Sequence, residues 1–281
     1  MDDNSGGVSR RQFAAFAALG AAGVGTAATA AAPQVMDMDV NIKTADGMCN
    51  AALAHPQGAG RWPAVIVWTD AFGLRPFFRE FGKRIAAEGY VVLTPNPFYR
   101  STHDRVFPNG IDFNNPDQRK QLADLRAPMT PEAITRDAGS FVAFLDGQPM
   151  VDKRKKMGVQ GYCMGGPLMM QTAAAAPNRI GAGASFHGGG LVTDRPDSPH
   201  LLVPKLKGAY YFAVADNDDK QQPDAKTKLK AAFDTANIPA KVEVYAGCMH
   251  GWCAADTPPY NKEGAERAWG ELMMLYKGAL V

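Results

Sequence analysis

Apolar and polar positions change their period along the chain. Residues 36–42 alternate apolar and polar side chains, and residues 48–54 follow beyond Ala45-Asp46-Gly47, which predicts a hairpin of edge strands. Residues 64–68 are continuously apolar, as a strand buried on both faces requires, and an amphipathic stretch over 76–88 follows a Gly-containing loop. Further strands are predicted at 90–94, 156–161, 180–186, 209–215 and 241–245. Helices are predicted between them at 131–145, 164–176 and 224–236, with a last one at 260–279. Buried strands separated by helices imply a doubly wound, mostly parallel α/β sheet with an antiparallel edge hairpin, because parallel neighbours need crossovers. Such sheets bind ligands at the carboxyl ends of their strands. The polar stretch 101–129 lacks strand periodicity and reads as an excursion over that edge.

Composition adds limits. The chain has 281 residues, 46% hydrophobic and 21% charged, enough for one sizeable core. Its 30 basic and 28 acidic side chains are interspersed, so no basic stripe marks a nucleic-acid surface. Residues 1–32 differ in kind. Ser9-Arg10-Arg11-Gln12-Phe13 precedes an Ala/Gly-rich apolar run with Ala28-Thr29-Ala30 as a small-x-small cleavage site, the pattern of a twin-arginine export signal. The expectation is an exported, periplasmic or secreted single domain over residues 33–281, delivered by the export machinery, monomeric and without a stable membrane span beyond the leader. Four cysteines, Cys49, Cys163, Cys248 and Cys253, form no CxxC pair, which argues against a structural zinc or a thioredoxin-like site. Cys248 and Cys253 could bridge only if the loop between them folds back.

Chemistry concentrates at Gly161-Tyr162-Cys163-Met164-Gly165-Gly166, between a predicted strand and a predicted helix. This is the nucleophile-elbow pattern with cysteine in the serine position. Its glycines suit a strained turn, and the helix N-terminus lowers the cost of a thiolate at Cys163. In this fold an acid and then a histidine follow the nucleophile. Asp216-Asn217-Asp218-Asp219 ends one predicted strand and Cys248-Met249-His250-Gly251-Trp252 follows the next. His250 is thereby the candidate base, while Asp216, Asp218 and Asp219 compete to orient it. His187, before Gly188-Gly189-Gly190, precedes any such acid and reads as a pocket wall or a backbone-bonded core histidine.

Together these residues resemble the dienelactone hydrolase family, cysteine α/β-hydrolases that open an unsaturated lactone during bacterial breakdown of chlorinated aromatics. The resemblance runs from about residue 52 to 280 and rests on the GYCMGG elbow, Trp68-Thr69-Asp70-Ala71-Phe72-Gly73, and the late His-Gly-aromatic. It implies an α/β-hydrolase fold, Asp218 as the acid, and Ala71 and Met164 N–H groups as the oxyanion hole. It also implies that Asp70, standing where the family has a glutamate, gates the resting thiol. Arg100 matches one of two arginines that bind the substrate's carboxylate, and Ala254 occupies the position of the second. Trp252, Tyr99 and Phe98 are candidates for the acyl pocket.

The activity so implied is hydrolysis of an ester or lactone through a Cys163 acyl-thioester, with no cofactor and no metal. Two alternatives accompany it: an esterase or thioesterase of other acyl specificity, and a binding or redox protein that kept the fold without turnover.

Overall fold

The run Ala64–Trp68 is buried at every position, and the computed structural model, which describes residues 34–280 apart from position 109, shows the cause. This strand lies near the middle of one eight-stranded sheet covered on both faces. In chain order the elements are β1 (Val35–Thr44), β2 (Gly47–Pro56), β3 (Ala64–Trp68), α1 (Pro76–Ala87), β4 (Val91–Pro95), α2 (Pro116–Arg126) and α3 (Pro131–Gly147). There follow β5 (Met157–Tyr162), α4 (Gly165–Ala175), β6 (Ile180–Phe186), a 3-10 segment (Pro199–Lys205) and β7 (Ala209–Ala215). The last elements are α5 (Asp216–Gln221), α6 (Ala225–Thr235), β8 (Ala240–Tyr245) and α7 (Lys262–Ala279). The leader expected over residues 1–32 lies outside the described residues.

The strand order is β1-β2-β4-β3-β5-β6-β7-β8. β1 pairs antiparallel with β2, and β2 antiparallel with β4, while all pairs from β4 to β8 are parallel. This is the α/β-hydrolase arrangement with the edge hairpin that the alternation at 36–54 predicts. Because side chains alternate across a strand, Ile66 and Trp68 enter one apolar layer with Phe141, Met169 and Phe212. Val65 and Val67 enter the opposite layer with Phe78, Tyr162, Phe186 and Tyr276. Among the described residues no helix is long and apolar enough to cross a membrane.

Two expectations are refined. The excursion over 101–129 contains α2, which begins where the Asn115 side chain accepts hydrogen bonds from the Asp117 and Gln118 N–H groups and Pro116 occupies the first turn. Only Leu122 of that helix is buried, so its hydrophobic period is too faint to read. The acidic cluster after β7 is also helical, forming α5. All four cysteines are free thiols, so Cys248 and Cys253 are not bridged.

Candidate active site

Cys163 sits between β5 and α4 with φ 53°, a left-handed backbone that a side chain other than glycine rarely adopts. The turn is tight enough that a Cβ on Gly161 would fall 1.9 Å from the Gly165 carbonyl oxygen, so only glycine closes it. Strain at a strand-to-helix turn is the signature of a side chain held up for chemistry. Stacking of Tyr162 on Phe186, 5.0 Å between centroids, anchors the strand ends beneath it.

His250 approaches from the loop after β8. Its Nδ1 donates to Asp218 Oδ2 at 2.6 Å, and its backbone N–H donates to Asn217 Oδ1 at 2.7 Å. The other two aspartates turn elsewhere: Asp216 takes Lys220 at 2.8 Å and Asp219 takes Lys226 at 2.5 Å. With Nδ1 given to Asp218, Nε2 is left for the Cys163 sulfur. Burial disfavours the charged form of His250, but hydrogen bonds to Asp218 and Cys163 and their negative charges outweigh it, raising the imidazole to about 10. The structure thus brings Cys163, His250 and Asp218 together.

The loop after β3 supplies the other wall. Among the described residues neither the Ala71 nor the Met164 N–H has a hydrogen-bond acceptor, so both donors are unengaged. Ala71 and Met164 belong to an apolar cluster with Phe98, Val106, Phe107 and Leu122, against which Cys163 packs. From the excursion 101–129, Val106, Phe107 and Leu122 thus join the residues around Cys163.

Three residues read as substrate-facing or gating are placed otherwise. Asp70 does not hold the thiol: Oδ1 accepts from Arg75 at 2.6 Å and from the Phe72 N–H at 2.9 Å, and Oδ2 accepts from Arg75 at 2.9 Å. Arg75 is itself buried and shared with Asp256, at 2.7 Å through Nε. Arg100 is not presented to a substrate, because its guanidinium is engaged by Asp46 at 2.8 Å, Asp137 at 2.7 Å and the Ala133 carbonyl at 3.3 Å. It ties the β1–β2 turn to α3. Trp252 is fully buried, stacked on Tyr245 at 5.0 Å, and packs the core rather than an acyl pocket. Tyr99 likewise spends its hydroxyl on Thr44 and Asp137.

Sequence reasoning missed Arg75, Asp256 and Asn217, which fix the Ala71 loop and the His250 backbone. Arg75 lies five residues from Asp70, a short-range pairing that was open to inspection, whereas Asp256 is 181 residues from Arg75.

The dienelactone hydrolase family profile matches residues 49–280. A protein of Synechocystis sp., provisionally named a carboxymethylenebutenolidase, is 29% identical over 235 residues, covering 81% of this chain and 91% of that protein. The carboxymethylenebutenolidase of Pseudomonas sp. strain P51 is 27% identical over 228 residues, 80% of this chain and 89% of that protein. A crystal structure from Klebsiella pneumoniae, provisionally named a dienelactone hydrolase, aligns with a TM-score of 0.75 at 21% identity, covering 87% of this chain and 99% of that one.

Proposed function

The chain belongs to the dienelactone hydrolase family, a family of hydrolases, and on that premise we propose that it cleaves activated carboxylic esters or enol lactones through a Cys163 acyl-thioester. The observation that carries this reading is the hydrogen bond that fixes His250 Nδ1 on Asp218, which leaves Nε2 for a sulfur held on a strained elbow whose charge raises the imidazole.

In this mechanism His250 Nε2 takes the proton of the Cys163 thiol as the sulfur becomes the nucleophile. The sulfur attacks the carbonyl carbon, and the π electrons move to the oxygen, which the Ala71 and Met164 N–H groups receive. Collapse breaks the carbon–oxygen single bond, and the departing enolate or phenolate takes the His250 proton. Neutral His250 then removes a proton from water, hydroxide adds to the thioester, and the thiolate leaves with the acid formed. Asp218 holds the Nδ1 proton throughout, so Nε2 does all the proton transfer.

The acyl group is apolar and uncharged in this reading. Arg100 is locked to Asp46 and Asp137, Arg75 is locked to Asp70 and Asp256, and position 254 is a buried alanine. What meets Cys163 is the cluster of Ala71, Phe98, Val106, Phe107, Leu122 and Met164. The enzyme is further proposed to act as a monomer exported by the leader at residues 1–32, which fractionation of producing cells tests directly.

The deciding experiment compares three substrates, an aryl ester, a neutral methylene butenolide and its carboxymethylene counterpart, with Cys163→Ala and His250→Ala as controls. The expected result is turnover of the ester and the neutral lactone, reduced at least roughly 10³-fold by either substitution, with the carboxylate-bearing lactone the poorest. Turnover that survives loss of Cys163 would overturn the reading.

A further inference from the structure

His187 stands directly after β6, where β5 and β6 run in register with Tyr162 opposite Phe186. Its side chain is buried, and its backbone is left-handed at φ 42°, as Cys163's is at 53°. Two non-glycine residues at neighbouring strand ends thus share an unfavourable conformation, and they are joined. The Cys163 N–H is directed to the Phe186 carbonyl at 3.1 Å and to His187 Nδ1 at 3.2 Å. The Cys163 carbonyl receives the N–H of Gly189 at 3.3 Å and that of Gly166 at 3.1 Å. Both backbone polar groups of the nucleophile are therefore gripped by the loop that His187 begins. That loop passes so close that a Cβ on Gly188 would lie 2.2 Å from Ser185 Oγ.

The ring of His187 also backs the base. Its centroid is 5.0 Å from that of His250 and 5.1 Å from that of Trp252, edge to face in both cases. An Nδ1 that accepts from an N–H carries no proton, so the proton is on Nε2, which has no hydrogen-bond partner. A buried donor left without a partner is a standing penalty. Such a penalty is tolerated where the ring's other nitrogen is needed, and here that nitrogen holds the elbow.

We propose that His187 is a positioning residue for the Cys163 nucleophile, its Nδ1 acting as the acceptor that holds the elbow so that the sulfur stays in line with His250. This rests on Cys163 being the nucleophile. It goes beyond that reading by placing part of the sulfur's alignment on a residue outside the line of Asp218, His250 and Cys163.

The test exploits side-chain geometry. In His187→Asn an oxygen can stand where Nδ1 stands; in His187→Gln the oxygen stands one bond further out; His187→Leu has no acceptor. Each full chain is assayed with an aryl ester for kcat and KM, and Cys163 is alkylated with iodoacetamide to follow the sulfur without turnover. The proposal expects kcat to fall by roughly 10- to 100-fold in Leu and Gln with KM nearly unchanged, and alkylation to slow in parallel, since a displacement of about 1 Å has this consequence. His187→Asn should restore most of both. Equal behaviour of Asn and Gln, or a loss carried by KM alone, would overturn it. Histidine nitrogen NMR on the wild-type protein gives a check that needs no variant to fold: an Nδ1-protonated His187 would also overturn it. Wild-type turnover that does not depend on Cys163 would instead be a failure of the hydrolase reading, which the alkylation and NMR measurements distinguish from a failure of this one.

Discussion

At the scale of single residues, the site depends on which way a few polar side chains turn. Asp216, Asp218 and Asp219 occupy one short helix, yet only Asp218 reaches His250. Asp218→Asn should therefore lower kcat by roughly 10²- to 10⁴-fold, since the amide disturbs the imidazole tautomer, whereas Asp216→Asn should leave kcat within about twofold; steady-state kinetics on the two variants checks this. The elevated His250 has a consequence for stability. Its folded-state value, about 10, lies above its ordinary 6.5, so the folded protein holds this proton more tightly than the unfolded chain does. The resulting stabilisation is fully present below pH 6.5 and is lost as pH rises through about 10. Unfolding of wild type and His250→Gln followed from pH 6 to 10.5 should show the wild-type advantage shrinking towards the alkaline end. A constant difference would contradict the assignment. In Cys163→Ala two of the raising influences disappear, and the His250 titration seen by NMR should move down from about 10.

At the scale of elements, strands and crossover helices place the chemistry, and long-range ion pairs hold the covering pieces. Arg100 joins the β1–β2 turn to α3 by meeting Asp46, 54 residues away, and Asp137, which is 1% exposed. Arg100→Met would leave the Asp137 carboxylate buried without its cation, a loss of about 3 kcal/mol. Denaturant unfolding should show that loss while KM for a neutral aryl ester stays the same; a raised KM confined to carboxylate-bearing substrates would restore Arg100 to substrate binding. The same residue shows what a sequence conceals. The five-residue buried strands, the elbow glycines and the histidine after β8 were legible because each signal is local: a run buried on both faces, a turn with no room for Cβ, a loop at a strand's carboxyl end. Whether Arg100 and Trp252 face a ligand depends on partners brought in from elsewhere in the chain, whereas Asp70 is held by Arg75 only five residues on, and a matching position cannot reveal an ion pair already made. The Nδ1 contact of His187 was hidden for a related reason, since it follows from the register of β5 on β6. Helix α2 has no legible period, because Leu122 is its one buried residue.

At the scale of the whole molecule, one sheet carries both the core and the site. Its two faces are sealed by separate apolar layers, and the carboxyl edge receives the loops that bear Ala71, Cys163, His187, Asp218 and His250. No residue of that set comes from the first 32 positions. A chain beginning at Pro33 should therefore fold and turn over an aryl ester at the rate of the full-length protein, which circular dichroism and steady-state kinetics would check together. The proposed chemistry requires that Cys163 becomes acylated. Its most direct test is to mix the protein with an aryl ester, quench within the first turnovers and weigh the intact chain, with Cys163→Ala beside it. The expected result is a mass gain equal to one acyl group, mapped to the peptide containing Cys163 and absent from Cys163→Ala. Product formation by the wild type with no acyl adduct, or an adduct that persists in Cys163→Ala, would contradict it.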